Sequence, residues 1–233
     1  MKTKGIVLAM MCIVFTVGIS AQVVKEKKQI DKFNKIASSG GIDVYFTHSN
    51  SYSLEIETDK RNMSKIDISV KDGSLLLQKK RNDKFEKNTT VKAYISAPEL
   101  DAIATSGGAD FYAKEIVNEK NLNIASSGGA DIHIDKLKAS NCNLAISGGA
   151  DADIKQFEGK TLNVSASGGS DANINVSKAD NVTAAASGGA DLRMSGKVKV
   201  ISVKASGGSD INIKGLTYET INANKSSGGD ILK

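Results

Sequence analysis

Six aspartates recur at nearly equal spacing through the second half of the chain: Asp110, Asp131, Asp151, Asp171, Asp191 and Asp210. Each closes the same phrase, SGGAD from Ser106, Ser127, Ser147 and Ser187, and SGGSD from Ser167 and Ser206. A regular row of carboxylates could ligate cations, act as a repeated acid or base, or accept backbone N–H groups within a turn. Calcium comes into question because Gly-Gly-x-Gly-x-Asp repeats build calcium-binding β-rolls, with a period of about 9 residues. Here the period is about 20 and the third glycine is Ala or Ser. Stacked carboxylates repel one another by something under about 1 kcal/mol per neighbouring pair in water. The favoured reading is that each accepts N–H groups exposed by the glycine corner. No cofactor or metal is therefore expected, with calcium kept as the alternative.

Catalysis finds little support in the same residues. A serine nucleophile needs its own positioned base, and identical serines at every repeat cannot all have one. Downstream of the N-terminal segment the only histidines are His48 and His133. Asp153, Arg193 and His133 share one outward-facing column but are spread over several repeats. Cys142 stands where Leu122 and Leu162 stand in adjacent repeats, which marks it as a small core residue. No catalytic residue is assigned.

The elements that must position these groups are set by the period. The motif serines Ser106, Ser127, Ser147, Ser167, Ser187, Ser206 and Ser227 are separated by steps of 21, 20, 20, 20, 19 and 21. A fixed period of this size signals a solenoid, whose units bury their apolar faces only by stacking. Apolar residues flank each motif two apart, as in Leu122/Ile124 and Ile132/Ile134 or Leu162/Val164 and Ala172/Ile174. Helices would space them three and four apart, so the units are strands. The expected fold is all-β: a single-stranded parallel β-helix with about 20 residues per rung, three short strands per turn, and a repeat region near 30 Å tall at roughly 4.8 Å per rung.

Alternation running through the motif gives the glycine pairs a structural role. The pairs are Gly107/Gly108, Gly128/Gly129, Gly148/Gly149, Gly168/Gly169, Gly188/Gly189 and Gly207/Gly208. The first glycine of each is expected to face inward at a narrow corner, and the second to supply positive φ. Ala or Ser at the next position lies just inside. Solvent-facing positions carry Asn123, Asn143 and Asn163 in one column, and Tyr112, His133, Asp153, Asn173, Arg193 and Asn212 in another. The asparagines are spaced to hydrogen-bond along the axis.

Between Gly41 and Pro98 the period lapses while strand alternation persists, and Asp72-Gly73 signals a hairpin. An early copy, Ser39-Gly40-Gly41-Ile42-Asp43, makes this region an elaborated first section of the same solenoid, covering an end that would otherwise expose unpaired strand edges. The lysine-rich run 79–87 reads as a solvated loop, or alternatively as a patch for acidic polysaccharide. The expected organisation is a signal peptide over residues 1–21 and one β-helix domain over 22–233, irregular over 32–100 and repetitive over 101–233.

Lys2 and Lys4 before an apolar run from Ile6 to Ile19, then Ser20 and Ala21, form an export signal with cleavage after Ala21. Cleavage removes Cys12, leaves Cys142 alone and excludes an internal disulfide. The formal net charge is +5, or +3 without Lys2 and Lys4, too mild to indicate nucleic acid.

IASSGGIDVYFTHSNSYSLEIETD, the DG hairpin, VKAYISAPELDAIATSGGAD and the SGG-x-D tail together resemble the DUF2807 family of autotransporter-adhesin head GIN domains. The resemblance spans essentially the whole chain after the signal, and APELDAIATSGGAD is its most specific part. It implies a β-helix similar in shape to pectin lyases and left-handed-helix acyltransferases without their catalytic sets, occurrence mainly in Bacteroidetes, and a role in adhesion.

The functional expectation is an exported, non-enzymatic adhesion or envelope module in the periplasm or at the cell surface. Its partner would be a surface protein or glycan, and an uncapped C-terminal end would allow homo-oligomers. The alternative is a β-helix binding or acting on acidic polysaccharide through the 79–87 loop and the column containing His133.

Overall fold

A computed structural model describes residues 22–233; the export signal expected over 1–21 lies outside them. In chain order the elements are β1 (Val23–Lys28), β2 (Lys35–Ser39), β3 (Ile42–His48), β4 (Ser53–Asp59), the one-turn α1 (Lys60–Met63), β5 (Ile66–Lys71), β6 (Ser74–Lys79), β7 (Val91–Ala97) and β8 (Ala102–Ser106). Then come β9 (Phe111–Ser127), β10 (Ile132–Ser147), β11 (Ala152–Gly168), β12 (Asp171–Gly188), β13 (Asp191–Ser206), β14 (Asp210–Ser226) and β15 (Asp230–Leu232). About 72% of the chain is strand, and the fold is a β-solenoid of about 6 turns of roughly 20 residues.

Each turn is one long strand rather than three short ones. From β9 to β14 the strands run 16 to 18 residues and pair in parallel with the rung before and after. Most bends between faces are carried within the ladder, with local register shifts such as those between Ala139 and Asn141 and between Val176 and Ala179, and the long strands end at the glycine corner. Apolar side chains point inward at alternate positions and stack on their equivalents. Leu122, Cys142, Leu162, Val182 and Ile201 form one fully buried file, and Phe111, Ile132, Ala152, Ala172, Leu192 and Ile211 another. The core is thus continuous along the axis, so a rung is stable only with its neighbours in place.

The irregular N-terminal section continues the same sheet. β2 and β3 carry the early glycine corner and lie in register with β8 and β9, Ser39 opposite Ser106 and Tyr45 opposite Tyr112. A further level is made by β6 beside β2 and β7 beside β3, both parallel. Beyond it the chain turns back: β5 is antiparallel to β6, β4 to β7 and β1 to β4. Asp72 and Gly73 join β5 to β6 with φ of 50° and 72°, the conformation of a two-residue hairpin whose twist matches the strands. The last strand on this side, β1, presents Lys25, Lys27 and Lys28 near its free edge, which discourages further pairing.

The run 79–87 bridges β6 and β7 and is anchored rather than free. Phe85 packs against the core, and Glu86 pairs with Lys65 at 2.7 Å and with Arg61 at 3.5 Å. Arg61 also grips Asp59 at 2.9 Å, and the Asp59 side chain is only 2% exposed.

The corner glycines depart from the expected geometry. The first members, Gly107, Gly128, Gly148, Gly168, Gly188 and Gly207, do not face inward; they are exposed, and all have positive φ. The second members are exposed as well, and they divide into two sets. Gly108, Gly129, Gly149 and Gly208 have the expected positive φ, at 72°, 72°, 94° and 78°, whereas Gly169 and Gly189 do not.

Crowding at the corner also differs from the expectation of a narrow interior. A Cβ on Gly108, Gly129 or Gly149 would meet nothing within 4 Å, and on Gly208 only the Gly188 carbonyl oxygen, at 3.5 Å. Those four positions call for glycine through their backbone conformation and not through lack of room. The narrow interior lies one residue further on, where Ala109, Ala130, Ala150, Ser170, Ala190 and Ser209 are fully buried. The close approach falls on first glycines: at Gly188, with φ +77°, a Cβ would sit 2.9 Å from the Gly168 nitrogen, whereas at Gly169 nothing lies within 4 Å. Gly188→Ala should therefore cost about 1–3 kcal/mol in urea unfolding, and Gly169→Ala should be neutral or stabilise by under about 1 kcal/mol.

The Arg61 side chain and backbone N–H hold the Asp59 carboxyl well below the usual range, at about 2. A depressed carboxyl stabilises the fold above its ordinary pKa and loses that effect as acid protonates it. Asp59→Asn should melt below wild type at pH 7, with the gap closing as pH falls from about 4 towards 2. A constant gap across melts in that window would show that the charge contributes nothing.

Candidate functional site

At most of the glycine corners the backbone ladder loses an acceptor, and the aspartate row supplies one. The first-glycine N–H still reaches across: Gly107 N to Ser127 O at 3.3 Å, Gly128 N to Ser147 O at 3.3 Å. Past the corner the ladder resumes, with Phe111 N on Asp131 O and Ile132 N on Asp151 O, both at 2.8 Å. Between them, the N–H of each aspartate points to the preceding rung. There it meets not a carbonyl but the carboxylate one rung down. Asp43 Oδ1 accepts from Asp110 N at 3.2 Å, Asp110 from Asp131 at 3.0 Å, Asp131 from Asp151 at 2.9 Å and Asp151 from Asp171 at 3.1 Å.

The relay gives way towards the C-terminal end. The N–H of Asp191 is shared between Asp171 Oδ1 at 3.3 Å and Ser170 O at 3.2 Å. Those of Asp210 and Asp230 go to the carbonyls of Ala190 and Ser209. Among the described residues no ion pair involves the motif aspartates Asp110, Asp131, Asp151, Asp171, Asp191 and Asp210, and no three His, Cys, Asp or Glu side chains converge to hold a metal ion.

The adjoining outward column begins with four aromatic rings. Tyr94, Tyr45, Tyr112 and His133 lie opposite one another on β7, β3, β9 and β10. Their centroids are 5.3, 4.9 and 5.0 Å apart in that order, and the planes lie within 14° to 29° of parallel. Such contacts each contribute about 0.5–1.5 kcal/mol beyond area burial. Lys25 Nζ lies 4.9 Å from the Tyr94 centroid, and Lys92 Nζ 5.8 Å from that of Tyr45. The rings are tethered at their rims: Tyr112 donates to Asp110 Oδ2 at 3.1 Å, and Tyr94 to Glu57 at 3.3 Å. Burial, reinforced by the Asp110 carboxylate, holds the Tyr112 hydroxyl well above the usual phenol range. Burial likewise raises the Asp43 carboxyl.

Two recesses of about 750 and 730 Å³ run beside this column and meet at Tyr45 and Thr47. One extends past Lys114, Asp135 and Lys155, the other past Ser53, Ser96 and Lys28. The column then continues as Asp153, Asn173, Arg193 and Asn212, with Asn173 donating to Asp153. His133 is thus stacked on Tyr112 and one rung from Asp153, whereas Arg193 stands two rungs further on. On another wall the asparagines form their own ladder, Asn163 to Asn143 to Asn123, each at 2.9 Å. Cys142 is fully buried, and burial pushes its thiol up to about 12, where it is neither a nucleophile nor a ligand at neutral pH.

The family model described as "Putative auto-transporter adhesin, head GIN domain", DUF2807, matches residues 32–155 and 143–232. The chain belongs to the DUF2807 family. Its solved neighbours share the fold. A putative adhesin from Bacteroides fragilis superposes with a TM-score of 0.78 at 21% identity, covering 91% of this chain and 97% of that one. One from Parabacteroides merdae gives 0.67 at 17% identity, with the same coverage of 91% and 97%. A protein from Parabacteroides distasonis, described as a putative lipid binding protein, gives 0.66 at 17% identity, again covering 91% and 97%. No curated protein matches the chain.

For this DUF2807 chain the ring column is the feature that sequence reasoning assembles only in part. It places Tyr112 and His133 in one column. Tyr45 carries a signal that goes unused, since it follows Ser39 by six residues as Tyr112 follows Ser106. Tyr94 has no motif beside it and joins only through the pairing of β7 with β3.

If the aspartates serve as acceptors rather than ligands, their charge is dispensable and their oxygen is not. Asp151→Ala should cost about 0.5–1.5 kcal/mol in urea unfolding through the orphaned Asp171 N–H. Asp151→Asn, which keeps an oxygen acceptor and removes repulsion, should cost less than about 0.5 kcal/mol. A chelator should leave the melting midpoint unchanged. Equal losses in both variants, or a midpoint lowered by chelator, would restore the cation reading.

Proposed function

We propose that the protein is an exported, non-enzymatic adhesion module of the cell envelope, and that it holds its partner along the outward wall bearing Tyr94, Tyr45, Tyr112 and His133. The observation that carries this reading is the break in regularity: along a wall of small and polar residues, the rings form one partly exposed strip flanked by two recesses. Aromatic side chains concentrate binding energy because they offer large area at low entropic cost. The groups around the strip are committed to one another through Tyr112–Asp110, Tyr94–Glu57 and Lys155–Asp135, which suits holding a partner rather than transferring protons. Membership of a family described as adhesin head domains agrees with it. The adhesin family description and the export signal expected at the N-terminus support a place in the periplasm or at the cell surface.

The test is adherence. Beads coated with the protein should bind mucin-coated or bacterial-cell-coated surfaces. A Tyr45→Ser/Tyr112→Ser variant that retains its β circular dichroism should lose most of that binding, by about tenfold or more. Lys160→Ser, in a separate recess away from the rings, should behave as wild type. Undiminished adherence of the tyrosine variant would sink the proposal.

A further inference from the structure

The composition of the groove beside the ring column narrows the chemistry of what it holds. Its lysines are Lys27, Lys28, Lys114 and Lys155. Its carboxylates are Glu55, Glu115, Asp135 and Asp153. The two sets balance, and several members are already neutralised, Lys155 by Asp135 at 2.6 Å and Lys28 by Glu26 at 2.6 Å. A groove without net charge has no field to gather a charged polymer. A contrasting recess of about 510 Å³ on another wall carries Lys138, Lys160, Lys178 and Lys199 against Glu158 and Asp180, and an anionic chain would settle there instead.

Shape adds a second constraint. The groove follows the axis from β4 through β7, β3, β9 and β10 to β11, five strand spacings or about 24 Å. Because the rings stack on one another, a ligand meets their edges and hydroxyls instead of their faces. That favours a chain running along the column over a single sugar lying flat on one ring. Alongside the apolar edges stand short hydroxyl groups, Thr47, Ser53 and Ser96, with Ser53 and Ser96 linked at 2.7 Å.

We propose that this groove binds a linear, uncharged polysaccharide laid parallel to the solenoid axis, its apolar ring edges against Tyr45 and Tyr112 and its hydroxyls on Thr47, Ser96 and the flanking carboxylates. The proposal rests on the adhesion reading and names what that wall holds. The rungs repeat at a spacing close to that of successive sugars in an extended chain, so one rung meets one sugar.

Calorimetric titration of the purified protein with hexasaccharides of β-1,4-linked glucose, mannose, xylose and N-acetylglucosamine tests this, with hexagalacturonate as the charged comparison. At least one uncharged hexamer should bind. Its affinity should fall about tenfold or more in Tyr112→Ala. It should fall equally in Thr47→Arg, which fills the groove from an exposed position without disturbing the ring stack, and stay unchanged in Lys160→Ala. The inference is overturned if no uncharged hexamer binds up to about 10 mM, if hexagalacturonate alone binds, or if binding survives both groove variants. Loss of bead adherence in the tyrosine variant without binding of any hexamer would remove the glycan and leave the adhesion reading standing. Hexamer binding without any change in bead adherence would do the reverse.

Discussion

Every backbone N–H in a solenoid must find its acceptor on a neighbouring rung, and the tight corner is where that requirement fails. Two exposed glycines turn the chain sharply, and except towards the C-terminal end the next N–H finds no carbonyl on the neighbouring rung. In this protein the carboxylate of the rung below stands in for it, from Asp43 through Asp171. An unpaired backbone N–H costs about 1–3 kcal/mol when withdrawn from water, so every corner needs an acceptor at this point: a carboxylate along most of the rod, and the carbonyls of Ala190 and Ser209 at the last two levels. The row of like charges is tolerated because the carboxylates face solvent, where repulsion is weak. A feature that looks like a repeated binding site is thereby accounted for as part of the scaffold.

That scaffold frees the remaining outer positions to vary. Inward positions are fixed by the continuous core and corner positions by the ladder, but residues facing solvent between them need only pair tolerably with the rung above and below. Most rungs use this latitude for small amides and hydroxyls, as in the Asn123 to Asn163 ladder. Where the irregular N-terminal levels join the repeats, aromatic residues fill the column instead, and the antiparallel strands β4 and β1 bring Glu57 and Lys25 to its rim. The strip proposed for recognition thus lies at the junction of the two sections, where rings stack along the wall and recesses lie beside them.

The repeat was legible in the sequence because its period, its alternation and its glycines all derive from one physical unit copied along the axis. Leu122, Cys142 and Leu162 could be read as one buried file before any coordinates. Two things were not legible. Local alternation carried through the corner places the first glycine inside, yet both glycines lie outside, because two successive left-handed residues such as Gly128 and Gly129 reverse the chain instead of continuing the pleat. The second glycine keeps that conformation at Gly108, Gly129, Gly149 and Gly208 but not at Gly169 and Gly189, although the residue type is the same at all six. The ring column was hidden for a different reason: Tyr94 belongs to a strand whose neighbours in space are far from it in sequence and which carries no motif to give its register.

The claim on which the rest depends is that side-chain carboxylates complete the backbone ladder at the corners, and amide hydrogen exchange measures it directly. The N–H groups of Asp131, Asp151 and Asp171 should exchange as slowly as those of the flanking strands. Replacing Asp131 by alanine should accelerate exchange selectively at Asp151. Rapid exchange at all three in the wild-type protein would mean that those bonds are not made, and the aspartate row would again need a ligand to explain it.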